Sequence, residues 1–145
     1  MPALELKTNV KAEDPRALVA ELSQLCADVF KFPIHLICVS YEYNEYLAWA
    51  GTFEPALWIN VSTLENLGVE ENDRYSKALF AFVGEKLGIE DSRGFIMFND
   101  PGRENIGYVP RAPFLSILQN SQLADHDGSG CSYRSTTVRM VKGPK

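Results

Sequence analysis

From Ala3 to Val10 apolar and polar side chains alternate, with Leu4 and Leu6 on one face, and a period of two predicts a strand. Glu13-Asp14-Pro15 then has the form of a helix start, Asp14 as N-cap and Pro15 at the first helical position. Leu18, Val19, Leu22, Leu25, Cys26 and Val29 make one apolar stripe of an amphipathic helix, which Pro33 ends. Residues 36–41 (Leu-Ile-Cys-Val-Ser-Tyr) are β-prone and mostly apolar, as expected of a strand buried in a sheet. That closes one β-α-β unit. Gly51 and Pro55 mark a connection to a second unit, whose first strand is predicted over residues 56–61. A polar loop with Gly68 leads to a helix beginning around Asn72-Asp73. Its stripe is Tyr75, Leu79, Phe82, Val83 and Leu87, and Gly88 follows where a C-terminal glycine belongs. Residues 95–98 answer as a strand, and 106–108 as a short one. The pattern therefore predicts an α/β fold of two β-α-β units, repeated in pattern and barely in sequence.

After residue 118 the pattern fades. The stretch from Gln119 is rich in Ser, Gly, Asp and Thr, and only residues 136–141 have strand character. The expected organisation is one domain over residues 1–118 and a polar extension over 119–145. At 145 residues the chain is long enough for a real core, and 46% hydrophobic with 23% charged residues is a globular composition. No apolar run approaches the ~20 residues needed to span a bilayer. The N-terminus lacks a basic segment followed by an apolar one, so a secretory signal is not expected. A net charge of −5 argues against nucleic acid as partner. Three cysteines without a CxxC spacing suit a reduced, cytoplasmic setting and suggest neither a disulfide framework nor a zinc site. Asp125-His126-Asp127 with Cys131 carries metal-capable side chains, but their spacing matches no ligand pattern, so a polar tail is the preferred reading. Neither metal nor cofactor is expected.

One feature points to chemistry. Pro2 is a small second residue, so Met1 is expected to be removed, leaving a secondary amine at the N-terminus. An α-amino group begins near pKa ~7.7–8, and desolvation in an apolar pocket lowers it. Such a base can take a proton from carbon at neutral pH.

Met1-Pro2 with residues 4–10, then Gly51-Thr52-Phe53-Glu54-Pro55, Asn72-Asp73-Arg74-Tyr75-Ser76-Lys77 and Asn105-Ile106-Gly107-Tyr108, occur in family order. Together they resemble the macrophage migration inhibitory factor and D-dopachrome tautomerase family of the tautomerase superfamily, over about residues 1–114. The resemblance implies a four-stranded sheet from two β-α-β halves with two helices on one face, and a homotrimer whose sheets line a central barrel. It implies cofactor-free keto–enol tautomerisation of phenylpyruvate-like and dopachrome-like compounds, with the N-terminal proline as base. Animal members are also secreted without a signal peptide as cytokines, which would bring a protein receptor in as partner.

The resemblance also assigns pocket positions. Family members place a lysine after the first helix, usually as Gly-Lys-Pro; here Lys31-Phe32-Pro33 puts Phe32 on the lysine position and Lys31 on the glycine. Lys31 has two readings: a cation for the substrate carboxylate if the helix end shifts by one residue, or a solvated lysine favourable to the helix dipole. Leu64 corresponds to the residue that donates its backbone N–H to substrate. Phe95 and Met97 stand where the human-type strand has tyrosine and asparagine, leaving a more apolar cavity. Tyr108 replaces a common tryptophan, and Phe114 is a second aromatic wall; core packing is the plain alternative for these four. Ala56 and Ile59 replace the Cys-x-x-Cys of some animal members, so no thiol oxidoreductase activity carries over. Two functions follow: a tautomerase acting through Pro2, or a catalytically impaired trimer acting as a binding protein.

Overall fold

The computed structural model describes residues 1–109 and 112–113. Its elements are β1 (Ala3–Thr8), α1 (Pro15–Phe30), β2 (Cys38–Tyr43), β3 (Leu57–Ser62), α2 (Val69–Leu87), β4 (Gly94–Asn99), β5 (Gly107–Val109) and β6 (Ala112–Pro113). Short 3-10 turns cover Ile34–Leu36 and Arg103–Asn105. The chain divides into two compact units, Met1–Ile106 and Gly107–Lys145. In the second, β5 and β6 pair antiparallel. Phe114, the strand expected at 136–141, the Asp125-His126-Asp127 group with Cys131, and the whole 119–145 extension lie outside the described residues.

In the first unit the four strands run in the order β2-β1-β3-β4. β1 pairs parallel with β2 and β3 parallel with β4, while β1 and β3 meet antiparallel at the centre. Each parallel pair is bridged by a helix, so the two predicted β-α-β units are joined through their first strands. The alternation of β1 sends Leu4, Leu6 and Thr8 inward beside Val61, Ile59 and Leu57 of β3. Leu22, Cys26 and Phe30 of α1 and Tyr75, Leu79 and Val83 of α2 cover that face, with Phe30 and Tyr75 edge to face at 4.6 Å. Burial holds the Cys26 thiol protonated, its pKa pushed up to about 12, so this cysteine is core filling rather than a nucleophile.

The helix ends follow from local chemistry. Asp14 caps α1 by accepting the N–H groups of Arg16 and Ala17 at 3.0 Å, with Pro15 in the first turn. At the other end Lys31 is left-handed (φ 60°, ψ 39°), and both its N–H and that of Phe32 donate to the Ala27 carbonyl. This is a glycine's place held by a lysine. α2 closes conventionally on Gly88, also left-handed. Its start differs from expectation: the helix begins at Val69, not near Asn72. The Asn72 N–H donates to the Gly68 carbonyl at 2.9 Å, and Glu70 and Glu71 place negative charge in the first turn.

β2 is the second correction. It begins at Cys38, because Leu36 and Ile37 donate back to the carbonyls of Pro33 and Ile34 in a 3-10 turn. It is an edge strand with mostly exposed side chains, not a buried one. Leu36 reaches the core from the turn instead.

The β2–β3 connection is tied to the end of β1 by Asn9. Its amide nitrogen donates to the carbonyls of Leu47 (3.0 Å) and Glu54 (2.9 Å), and its Oδ1 accepts the Ala56 N–H at 2.8 Å. Two stability predictions follow in equilibrium urea unfolding. Lys31→Gly should raise stability by about 0.5 kcal/mol or more, since relief of left-handed strain outweighs the added freedom of the unfolded chain; a loss would contradict the strain account. Asn9→Ala should cost about 2 kcal/mol, since it removes three hydrogen bonds that close a long loop.

Candidate functional site

Pro2 is buried at the head of the central strand β1, in phase with Leu4 and Leu6. Its carbonyl accepts the Cys38 N–H at 3.0 Å, which locks it to β2. Across the sheet Ala3, Cys38, Ser62 and Asn99 form one row. Continuing the antiparallel register places Pro2 opposite Thr63 and Met1 opposite Leu64. The backbone of Leu64 therefore lies beside the chain start, and its N–H makes no hydrogen bond to a described residue. Of the sequence-predicted site residues, Pro2 and Leu64 therefore lie at the same end of the sheet.

The end of α1 reaches the same edge. Asn66 donates to the Phe30 carbonyl at 2.9 Å, and the Tyr75 hydroxyl donates to the Asn66 carbonyl at 3.1 Å. The turn after β3 is thus pinned to both helices. Within this frame Lys31 is exposed and Phe32 packs partly buried against the core. Lys31 thus takes the left-handed conformation that favours glycine, and the aromatic side chain of Phe32 follows it.

Phe95 and Met97 lie elsewhere in the subunit. They are on β4, on the sheet face opposite the helices, in rows with Trp58 and Lys7, and with Asn60 and Glu5. With strands ~4.8 Å apart and ~3.3 Å per residue, Phe95 sits about 10 Å across and 13 Å along from the Ala3 row. The described chain does not bring these two residues to Pro2. Phe95 stacks on Trp58 with centroids 6.1 Å apart, and the Lys7 ammonium lies 5.4 Å above the same indole. Tyr108 lies in β5, within the second unit.

Several groups at the Pro2 end carried no sequence signal of their own. Asp100 accepts the backbone N–H groups of Glu65 and Gly102, both at 2.9 Å, which hold its carboxyl below the usual range. Glu65 in turn pairs with Arg103, whose Nε is buried without a partner. Thr63 is fully buried; only its phase with Leu57, Ile59 and Val61 could have marked it. The Met1 α-amine is partly desolvated, and burial brings its pKa from 8.0 down to about 6. Among the described residues no group of three or more His, Cys, Asp or Glu side chains is placed to hold a metal, and no helix is long and apolar enough to cross a membrane.

Residues 1–111 match the family model for macrophage migration inhibitory factor. The macrophage migration inhibitory factor of Rattus norvegicus is 28% identical over 109 residues, covering 74% of this chain and 95% of the relative. The solved structure of the factor from Trichinella spiralis superposes with a TM-score of 0.69 at 25% identity, over 73% of this chain and 95% of that one. The homologue from Prochlorococcus marinus superposes with a TM-score of 0.70 at 22% identity, over 74% and 95%. A family match over most of the chain, on the same two-helix, four-stranded tautomerase fold, settles the membership: this chain belongs to the macrophage migration inhibitory factor family.

Proposed function

We propose that the chain is a keto–enol tautomerase of phenylpyruvate-like and dopachrome-like compounds, with Pro2, freed by removal of Met1, as its base. The observation that carries this reading is the burial of Pro2 at the head of the central strand, beside a Leu64 N–H that makes no hydrogen bond to a described residue. In the proposed reaction Pro2 takes a proton from the carbon next to the keto group, and the electron pair moves onto oxygen. The Leu64 N–H donates to the developing negative charge. Return of the proton from Pro2 to that oxygen, directly or through water, completes the enol and regenerates the free amine.

The same reading makes the protein a homotrimer. Phe95 and Met97, each 45% exposed, lie on the sheet face that neither α1 nor α2 covers. β2 and β4 are open edges of the four-stranded sheet, a condition that pairing with a neighbouring copy relieves. A neighbour would also supply the aromatic and thioether walls that Pro2 lacks within its own subunit. We place the protein in the cytoplasm, with export by a non-classical route as the animal relatives' trait.

One observation favours a second reading, a trimer that binds without catalysing. Lys31 occupies the left-handed glycine slot and Phe32 packs on the core, so the usual lysine side chain is missing from its position. The assay decides between them. With intact mass confirming a Pro2 terminus, phenylpyruvate enolisation should fall about 100-fold or more in Pro2→Gly, the usual scale for loss of a positioned base. Equal rates in both proteins would remove proline catalysis and leave the binding reading.

The amine makes a further prediction for protein that keeps Met1. Its folded pKa of about 6 lies below the ordinary 8.0, so the unfolded chain holds more protons between these values. Stability should therefore rise with pH across that window, be complete above pH 8, and be lost as pH falls through 6. Urea midpoints should show this slope, and Nα-acetylation should abolish it.

A further inference from the structure

Thr63 has 0% exposure, and its hydroxyl has no hydrogen-bond partner among the described residues. Buried hydroxyls are almost always bonded, so an orphan calls for an explanation. The geometry identifies what it faces. The Thr63 N–H donates to the Asn99 carbonyl at 3.0 Å, toward β4, while the Pro2 carbonyl accepts from Cys38, toward β2. Neither backbone group points at the other, so Pro2 and Thr63 form the non-hydrogen-bonded kind of antiparallel pair, with Cα atoms ~4.5 Å apart and side chains closest. Both residues share the buried face of Leu4 and Val61. While Met1 is attached, the Pro2 nitrogen is a tertiary amide with neither N–H nor basic lone pair. It can offer Thr63 nothing.

We infer that Thr63 is a positioning residue for the Pro2 amine, and that its hydroxyl gains its partner only when Met1 is removed. The inference rests on the reading of Pro2 as a free N-terminal proline. In the protonated amine an N–H donates to Thr63 Oγ1; in the neutral amine the hydroxyl donates to the nitrogen lone pair. The charged bond is the stronger of the two, so Thr63 raises the proton affinity of Pro2 against the desolvation that lowers it. It also fixes the ring so that the lone pair keeps one direction. The ionisable groups on the surrounding elements are differently placed: Lys31, His35, Cys38 and Asp100 are exposed, and Glu65 is paired with Arg103.

The test is an NMR titration of Pro2 in the processed full-length chain carrying ¹⁵N-proline. Thr63→Val, close in shape and without the hydroxyl, should lower the Pro2 pKa by about half a unit or more, about a threefold change in proton affinity. Thr63→Ser should keep the wild-type value. Thr63→Ala removes the same hydroxyl and stands in if the valine variant fails to fold. Identical titrations in wild type and either hydroxyl-free variant would overturn the proposal. A second arm compares urea midpoints with and without Met1. Thr63→Val should raise the midpoint of the Met1-bearing protein, where it deletes an orphan, and lose that gain in the processed protein. An equal change in both forms would also overturn it. Neither readout needs turnover. An inactive protein whose Pro2 pKa still depends on Thr63 refutes the tautomerase reading alone, whereas an active one with an unchanged titration refutes the role of Thr63 alone.

Discussion

The antiparallel contact of β1 with β3 is the constraint on which the rest depends. It joins the two β-α-β units at the centre of the sheet and sets Leu4, Leu6 and Thr8 against Val61, Ile59 and Leu57. A slip of one residue would turn every one of these side chains to the outer face, so burial fixes the register. That register then aligns what lies beyond the strands. Pro2 falls opposite Thr63 and the chain start falls beside Leu64, with no contact of their own needed to hold them there.

The two faces of the sheet divide the labour. Beneath the helices the side chains are closely packed, and the Cys26 thiol is protonated and inert. On the other face Glu5, Lys7, Asn60, Phe95 and Met97 are half-buried or exposed, tied by Lys7–Glu42 and by stacking on Trp58. Such a face is neither a core nor an ordinary solvated surface. Its mixture of aromatic and charged groups suits contact with further protein more than exposure to water, and it carries the proposal of an assembly.

The end of α1 shows how a local backbone preference bears on chemistry. A left-handed C′ residue lets the chain reverse toward β2, and glycine adopts it most easily. Placing lysine there keeps the turn at a cost in strain and sends an aromatic residue into the next position. Phe32 strengthens the packing at the helix end, while the charge moves to the solvent side. Lysine at position 31 and phenylalanine at 32 thus leave the turn and the fold unchanged, with the charge on the solvent side.

Much of this was legible in the chain itself. Period-two alternation over Ala3–Val10, the Asp14-Pro15 start, the helical stripes and Gly88 are local signals, because each reports how a short segment buries one face or satisfies its own backbone. The β-α-β repeat came from the order of such segments, Pro2 as a candidate base from the chemistry of a terminal secondary amine, and Leu64 as a candidate backbone donor from the family resemblance alone. The start of α2 was misplaced because glycine can cap through its backbone with no side-chain signature, and β2 because an apolar run does not reveal whether it feeds a strand or a 3-10 turn. The meeting of Pro2 with Thr63, the distance of Phe95 and Met97 from that end, and the Glu65–Arg103–Asp100 cluster depend on register between residues far apart in the chain. The sequence by itself determined the segments and the chemistry they carry; only the tertiary structure decided which of those groups share a place, since pairing across a sheet is fixed by burial of the whole face.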